Sequence, residues 1–162
     1  MVLLKLSISA ELENVTELQP ASEDFEYHFR VKCSSCNEEH PKTVSMNRKE
    51  EHEVSGGKHA TAHFVWRFSG KRESSAKFDT AKKVQPYTSE NAQPQPLLVI
   101  ECRGLEFTGF EFLVLQGPWK CVGSNGTVFD DIDLGDGEWT DYDEKAALPV
   151  GISTLSSQWS RA

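Results

Sequence analysis

The chain lacks a second C-x-x-C. Its four cysteines form one close pair, Cys33-Ser34-Ser35-Cys36, and two isolated residues, Cys102 and Cys121. A structural zinc takes four ligands, usually from two such pairs, so the sequence offers half a site. It also lacks a basic excess. The formal charge is -8, which excludes a general nucleic-acid binder, since that needs a basic face to neutralise phosphates. The same balance speaks against an anionic membrane surface as partner. No apolar run approaches the roughly 20 residues of a membrane helix. The start, Met1-Val2-Leu3-Leu4-Lys5-Leu6-Ser7-Ile8, breaks at once into polar alternation and does not resemble a signal peptide. A cytoplasmic protein, also able to enter the nucleus, is the expectation. Reduced thiols or metal ligands, rather than disulfides, suit that compartment.

What is present is a β pattern. The 162 residues are 38% hydrophobic and 10% aromatic, enough for a packed core. Leu4 to Leu12 alternates apolar and polar with period two, as does the run 24–33. Phe64-Val65-Trp66-Arg67 and Ala76-Lys77-Phe78-Asp79 predict two strands around a glycine-bearing turn. Leu97-Leu98-Val99-Ile100-Glu101-Cys102 is the most apolar strand and is expected to be central. Segments 107–115 and 127–134 add more strands. Helical signals are weak: Asp141 to Ala147 suggests one turn, ended by Pro149. Gln85 to Gln95, with three prolines, reads as a linker.

Leu12-Glu13 then Val15-Thr16-Glu17-Leu18 matches Leu105-Glu106 then Phe107-Thr108-Gly109-Phe110. The match suggests a pair of pseudo-symmetric lobes. The predicted fold is therefore mainly β, a single domain over 1–162 with two small sandwich-like or split-barrel-like lobes, 1–95 and 96–162, and little helix.

The candidate chemistry centres on Cys33 and Cys36, which follow a predicted strand. His40, His59 and His63 lie in the same half and are the natural substitutes for missing thiols. His63 stands five residues before the glycine turn. At about 3.3 Å per residue that exceeds 10 Å, whereas zinc–nitrogen bonds are about 2.0–2.1 Å. A redox dithiol of the thioredoxin kind would need a helix N-terminus after the pair, and Pro41 argues against a helix there. Cys102 and Cys121 read as small core residues. The acidic run 130–138 does not fit a calcium loop; Phe129, Ile132 and Leu134 are expected inward and the carboxylates solvated. Trp139-Thr140-Asp141-Tyr142-Asp143-Glu144-Lys145 fits either a docking surface or a packed corner. Gly56-Gly57-Lys58-His59 lacks the frame of a phosphate loop.

Several segments together resemble the eukaryotic CXXC-motif-containing zinc-binding protein family. They are Glu101-Cys102-Arg103-Gly104-Leu105-Glu106, Trp139 to Ala146 followed by Val150-Gly151-Ile152, Leu12-Glu13-Asn14-Val15-Thr16, Lys32-Cys33-x-x-Cys36, and Ser124-Asn125-Gly126-Thr127. The resemblance runs through essentially the whole chain. It implies a small all-β protein of two lobes, with no enzymatic activity, holding one structural zinc through two C-x-x-C pairs that tie two hairpin turns together. The first pair carries over to Cys33 and Cys36. The second should precede Lys71-Arg72-Glu73-Ser74-Ser75, but only Phe68-Ser69-Gly70 stands there. Zinc binding is therefore expected to be weakened or lost, with function through an unidentified protein partner and a monomeric chain. The alternative is copper(I) handling, which two thiolates suit, or thiol redox chemistry at Cys33 and Cys36.

Overall fold

The computed structural model describes residues 2–22, 25–53, 61–70, 73–79, 84–88, 92–111 and 118–162. His59 and the Gly56-Gly57 segment lie outside them. Among the described residues, fourteen strands follow one another: β1 (Val2–Glu13), β2 (Val15–Pro20), β3 (Tyr27–Cys33), β4 (Val44–Met46), β5 (His52–Glu53), β6 (Thr61–Ala62), β7 (Phe64–Arg67), β8 (Glu73–Phe78), β9 (Gln95–Arg103), β10 (Leu105–Glu111), β11 (Trp119–Gly123), β12 (Val128–Ile132), β13 (Trp139–Asp143) and β14 (Leu148–Arg161). All paired strands are antiparallel. Period-two alternation dictates them: in β3, Tyr27, Phe29, Val31 and Cys33 turn inward while the residues between stay at least partly exposed, as a pleated strand requires.

A six-stranded sheet runs β13-β14-β1-β9-β8-β7. The apolar strand β9 is central, as its composition predicts, and β1 lies beside it. Two three-stranded sheets, β10-β3-β4 and β12-β11-β2, complete the body, and β5-β6 form a small ladder.

The order of strands repeats. The sheet reads the same outward from the β1–β9 pair: β14 and β13 on one side, β8 and β7 on the other. Each central strand ends in one left-handed residue, Asn14 (φ 56°) after β1 and Gly104 (φ 75°) after β9. There the chain leaves the large sheet for a small one. The small sheets exchange strands: β2 joins β11 and β10 joins β3. Registers agree as well. Cys33 faces Leu105 and Gly123 faces Val15, and an irregularity follows in both ladders at the same place. Asn14 and Gly104, like Cys33 and Gly123, lie ninety positions apart. The match of Leu12 with Leu105 is thus out of register. It aligned side-chain types, whereas the repeat is set by the residue where the chain must kink.

That repeat also pairs the outer hairpins. Phe64 faces Ala76 and Val65 faces Ser75; Trp139 faces Ile152 and Thr140 faces Gly151. Phe68, one residue past β7, therefore corresponds to Asp143. Both are 1% exposed.

Two expectations change. Asp141 to Ala147 does not form a helical turn. It divides into the end of β13 and a four-residue turn, and Pro149 lies inside β14 opposite Tyr142. Tyr87, in the proline-bearing stretch read as a linker, is buried; its hydroxyl donates to the Gln93 carbonyl at 2.8 Å and accepts from the Ala10 N–H at 3.2 Å. In the Trp139 segment, Trp139 packs edge-on against Phe129 at 5.3 Å, but Tyr142 is 53% exposed. The acidic run behaves as expected, with Ile132 and Leu134 buried and Asp130, Asp131 and Asp133 exposed.

Candidate metal centre

Strand β3 delivers Cys33 to a tight turn. The Asn37 N–H returns to the Cys33 carbonyl at 3.0 Å, and the Cys33 N–H donates to the Glu38 carbonyl at 2.8 Å. Asn37 takes a left-handed φ of 61° to close it, a conformation asparagine tolerates better than most residues. The Ser34 N–H bonds the Gly104 carbonyl at 3.2 Å, fastening the turn to the kink after β9. The chain then folds straight back, Lys32 bridging to Glu39. No helix follows the pair, so the dipole that activates a thioredoxin-type thiol is missing.

The two thiols differ. Cys36 is exposed, and Cys33 is buried in the shallow turn. The Cys33 sulfur lies 3.2 Å from the Ser35 hydroxyl. That hydrogen bond, then the backbone N–H groups of Cys36 and Ser35, lower the Cys33 thiol to about 7. Burial works against this and is outweighed by the hydrogen bonds that converge on the sulfur. Donors converging on sulfur favour the thiolate, which is also the form that binds metal.

The opposing turn is not a ligand. Phe68 is buried and Gly70 takes φ 67°. The Ser69 N–H donates to Glu38 Oε2 at 3.0 Å, so the β7–β8 turn is joined directly to the Cys33–Cys36 turn. Glu38 carried no signal in the sequence, since a carboxylate two residues past a cysteine has no motif.

His40 and His63, the two candidate histidines among the described residues, do not complete the set. The Lys42 N–H donates to His40 Nδ1 at 3.0 Å, and the ring leans on Trp66 with centroids 4.4 Å apart. His63 is 2% exposed. Its Nδ1 accepts from the Phe78 N–H at 3.0 Å and its Nε2 contacts the Arg48 carbonyl at 3.2 Å. A carbonyl cannot donate, so Nε2 carries the proton. Both nitrogens are committed, and burial holds the imidazole below its usual range. Cys102 and Cys121 are buried, and burial pushes each thiol up to about 12; they are core residues, as expected. Among the described residues, no three or more His, Cys, Asp or Glu side chains lie where they could share a metal ion. Two thiols, an occupied carboxylate and a phenylalanine do not fit a tetrahedral zinc site.

The second half makes the equivalent junction without thiols. Asp143 Oδ1 accepts from the Thr127 hydroxyl at 2.9 Å, and from the N–H groups of Lys145 at 3.1 Å and Ala146 at 3.3 Å. This joins the turn after β13 to the turn after β11. A side chain at Gly123, the counterpart of Cys33, would collide with Asp143 Oδ2.

The profile described as CXXC motif containing zinc binding protein, eukaryotic, matches residues 5–160. The chain belongs to that family. Within it, a UPF0587 protein of Schizosaccharomyces pombe is 36% identical over 157 residues, covering 96% of this chain and 94% of that protein. The CXXC motif containing zinc binding protein of Homo sapiens is 33% identical over 158 residues, covering 96% of each. The crystal structure of C1orf123 superposes with a TM-score of 0.89 at 32% identity, over 99% of both chains. The family is named for zinc binding, not for an enzymatic activity.

Proposed function

We propose that this member is a non-enzymatic β scaffold that acts through protein contacts and has weakened or lost the zinc for which its family is named. The observation that carries this reading is the bond from Ser69 N–H to Glu38. It joins the two turns where a metal would need a second pair of thiols. Its counterpart in the second half, built on Asp143, supports the view that this fold closes such a junction with hydrogen bonds alone.

Contact through the sheet edges fits the surface. β7 and β13 are the two edge strands of the large sheet, and they carry exposed Trp66 and Tyr142. Open edges with aromatic side chains suit addition of a partner strand. The partner in this reading is a protein, met in the cytoplasm or nucleus by a monomeric chain; nucleic acid and membranes play no part.

Two experiments test this. Competition with a chromogenic zinc chelator should extract zinc from this chain far more easily than from a four-cysteine relative; equal retention rejects weakened binding. Affinity capture should recover the same protein with the wild type and lose it with a Trp66→Asp, Tyr142→Asp variant of unchanged circular dichroism. Equal capture by both rejects the edges as the contact.

A further inference from the structure

A cavity of about 340 Å³ lies where β2 and β11 meet the start of β3 and the turn after β4. It is within the usual size of small-molecule sites. Its charged lining is Arg48 and Lys120, accompanied by Gln19, Ser22 and Tyr27, with Val84 supplying an apolar wall. No carboxylate is among its described lining residues. That is the reverse of the chain as a whole, which carries 25 acidic side chains against 17 basic ones. A neighbouring cavity, lined by Glu26, His28, Glu50 and His52, has the opposite character.

Arg48 is held before any ligand arrives. The Arg48 guanidinium sits over the Phe78 ring, 5.7 Å from its centroid. Its backbone is fixed on both sides: the Arg48 carbonyl bonds His63 Nε2, and buried Asn47 accepts the N–H groups of Lys49 and Glu50 at 2.9 and 2.7 Å. Lys120 projects from a paired strand, opposite Gln19. Tyr27 is 1% exposed and belongs to an aromatic cluster with Phe25, Phe29 and Phe78. Arg48 and Ser22 also have other partners, so an anion would join an ordered network rather than gather loose side chains.

We propose that this cavity binds a small molecule bearing a phosphate group. A dianion matches the charges of Arg48 and Lys120. Arginine's fork takes two oxygens at once, and the Lys120 ammonium and the Gln19 amide line the same cavity for the third. The volume exceeds that of a bare phosphate, leaving room for an organic portion against Val84. The site is separate from the cysteine turn and does not depend on the metal reading.

Titration of the full chain with inorganic phosphate at pH 7, followed by backbone amide shifts, tests it. Sodium chloride at matched ionic strength is the control. Saturable shifts at Ser22, Arg48 and Lys120 that chloride does not produce are expected. Arg48→Gln and Lys120→Gln should each weaken binding at least tenfold. Because Arg48 packs on Phe78, Lys120→Gln is the cleaner variant, and circular dichroism checks both. Non-saturating shifts, shifts shared with chloride, or an unchanged midpoint in a folded Lys120→Gln protein would overturn the proposal.

Discussion

The backbone N–H of Ser69 donates to the carboxylate of Glu38 across the junction of two turns, at 3.0 Å. In the other half of the molecule, the Thr127 hydroxyl donates to the carboxylate of Asp143 across the corresponding junction, at 2.9 Å. One fold thus closes the same seam twice with a carboxylate. The two carboxylates come from opposite sides: Glu38 from the turn after β3, Asp143 from the turn after β13.

Removing the first closure has a small cost. The Glu38–Ser69 bond is exposed, so Glu38→Ala should lose about 1 kcal/mol in urea unfolding. Glu39→Ala, one residue on and also exposed, should stay within about 0.5 kcal/mol of wild type.

Removing the second costs more. Asp143 is 1% exposed and holds three donors, so Asp143→Ala takes the acceptor from three part-buried hydrogen bonds and should lose about 2–3 kcal/mol. Gly123→Ala places a methyl against Asp143 Oδ2 and should also destabilise. The double variant should be less unstable than the sum, since the collision goes when the carboxylate goes.

Phe68 fills the space beside the seam. Its side chain is fully buried, and Phe68→Ala should cost about 3–5 kcal/mol by calorimetry or urea unfolding. A cost under about 1 kcal/mol would mean that the substituted turn contributes little packing.

These sites show what the sequence reveals and what it hides. Alternation places β1, β3 and β9 well, because half-buried strands must present apolar residues at every second position. The kinks at Asn14 and Gly104 are visible only as residue types that tolerate positive φ; their equivalence emerges from the ladders. Cys33 and Cys36 can be picked out as a candidate pair because a C-x-x-C motif is local. Glu38 is not legible, because it acts on a residue distant in sequence; Asp143 is legible only in part, as a capping residue in the Trp139–Lys145 corner, while its reach to Thr127 is hidden. Tyr87 is hidden likewise: its prolines suggest a linker, while its hydroxyl is spent on Ala10 and Gln93.

His63 gives the chain a pH dependence. Burial is the largest influence and holds its folded pKa below the ordinary 6.5, while Arg48 and Lys77 add to the lowering and the Arg48 carbonyl and Glu51 oppose it. The unfolded chain then binds the proton more readily. The contribution of neutral His63 is fully present above about pH 6.5 and declines as pH falls toward the folded value. Wild type should lose stability between pH 7 and pH 5 more steeply than His63→Gln. Parallel slopes would show that His63 does not titrate differently in the two states.

The most direct measurement is zinc per chain by elemental mass spectrometry, on protein purified without a metal-binding tag. Beside it stand Cys33→Ser and a version in which Phe68-Ser69-Gly70 is replaced by Cys-Ser-Gly-Cys. Near zero is expected for the natural chain and for Cys33→Ser, with close to one zinc in the four-cysteine version, because that version adds a second C-x-x-C to the pair at Cys33 and Cys36. Close to one zinc in the natural chain, lost on Cys33→Ser, would contradict the loss of the site.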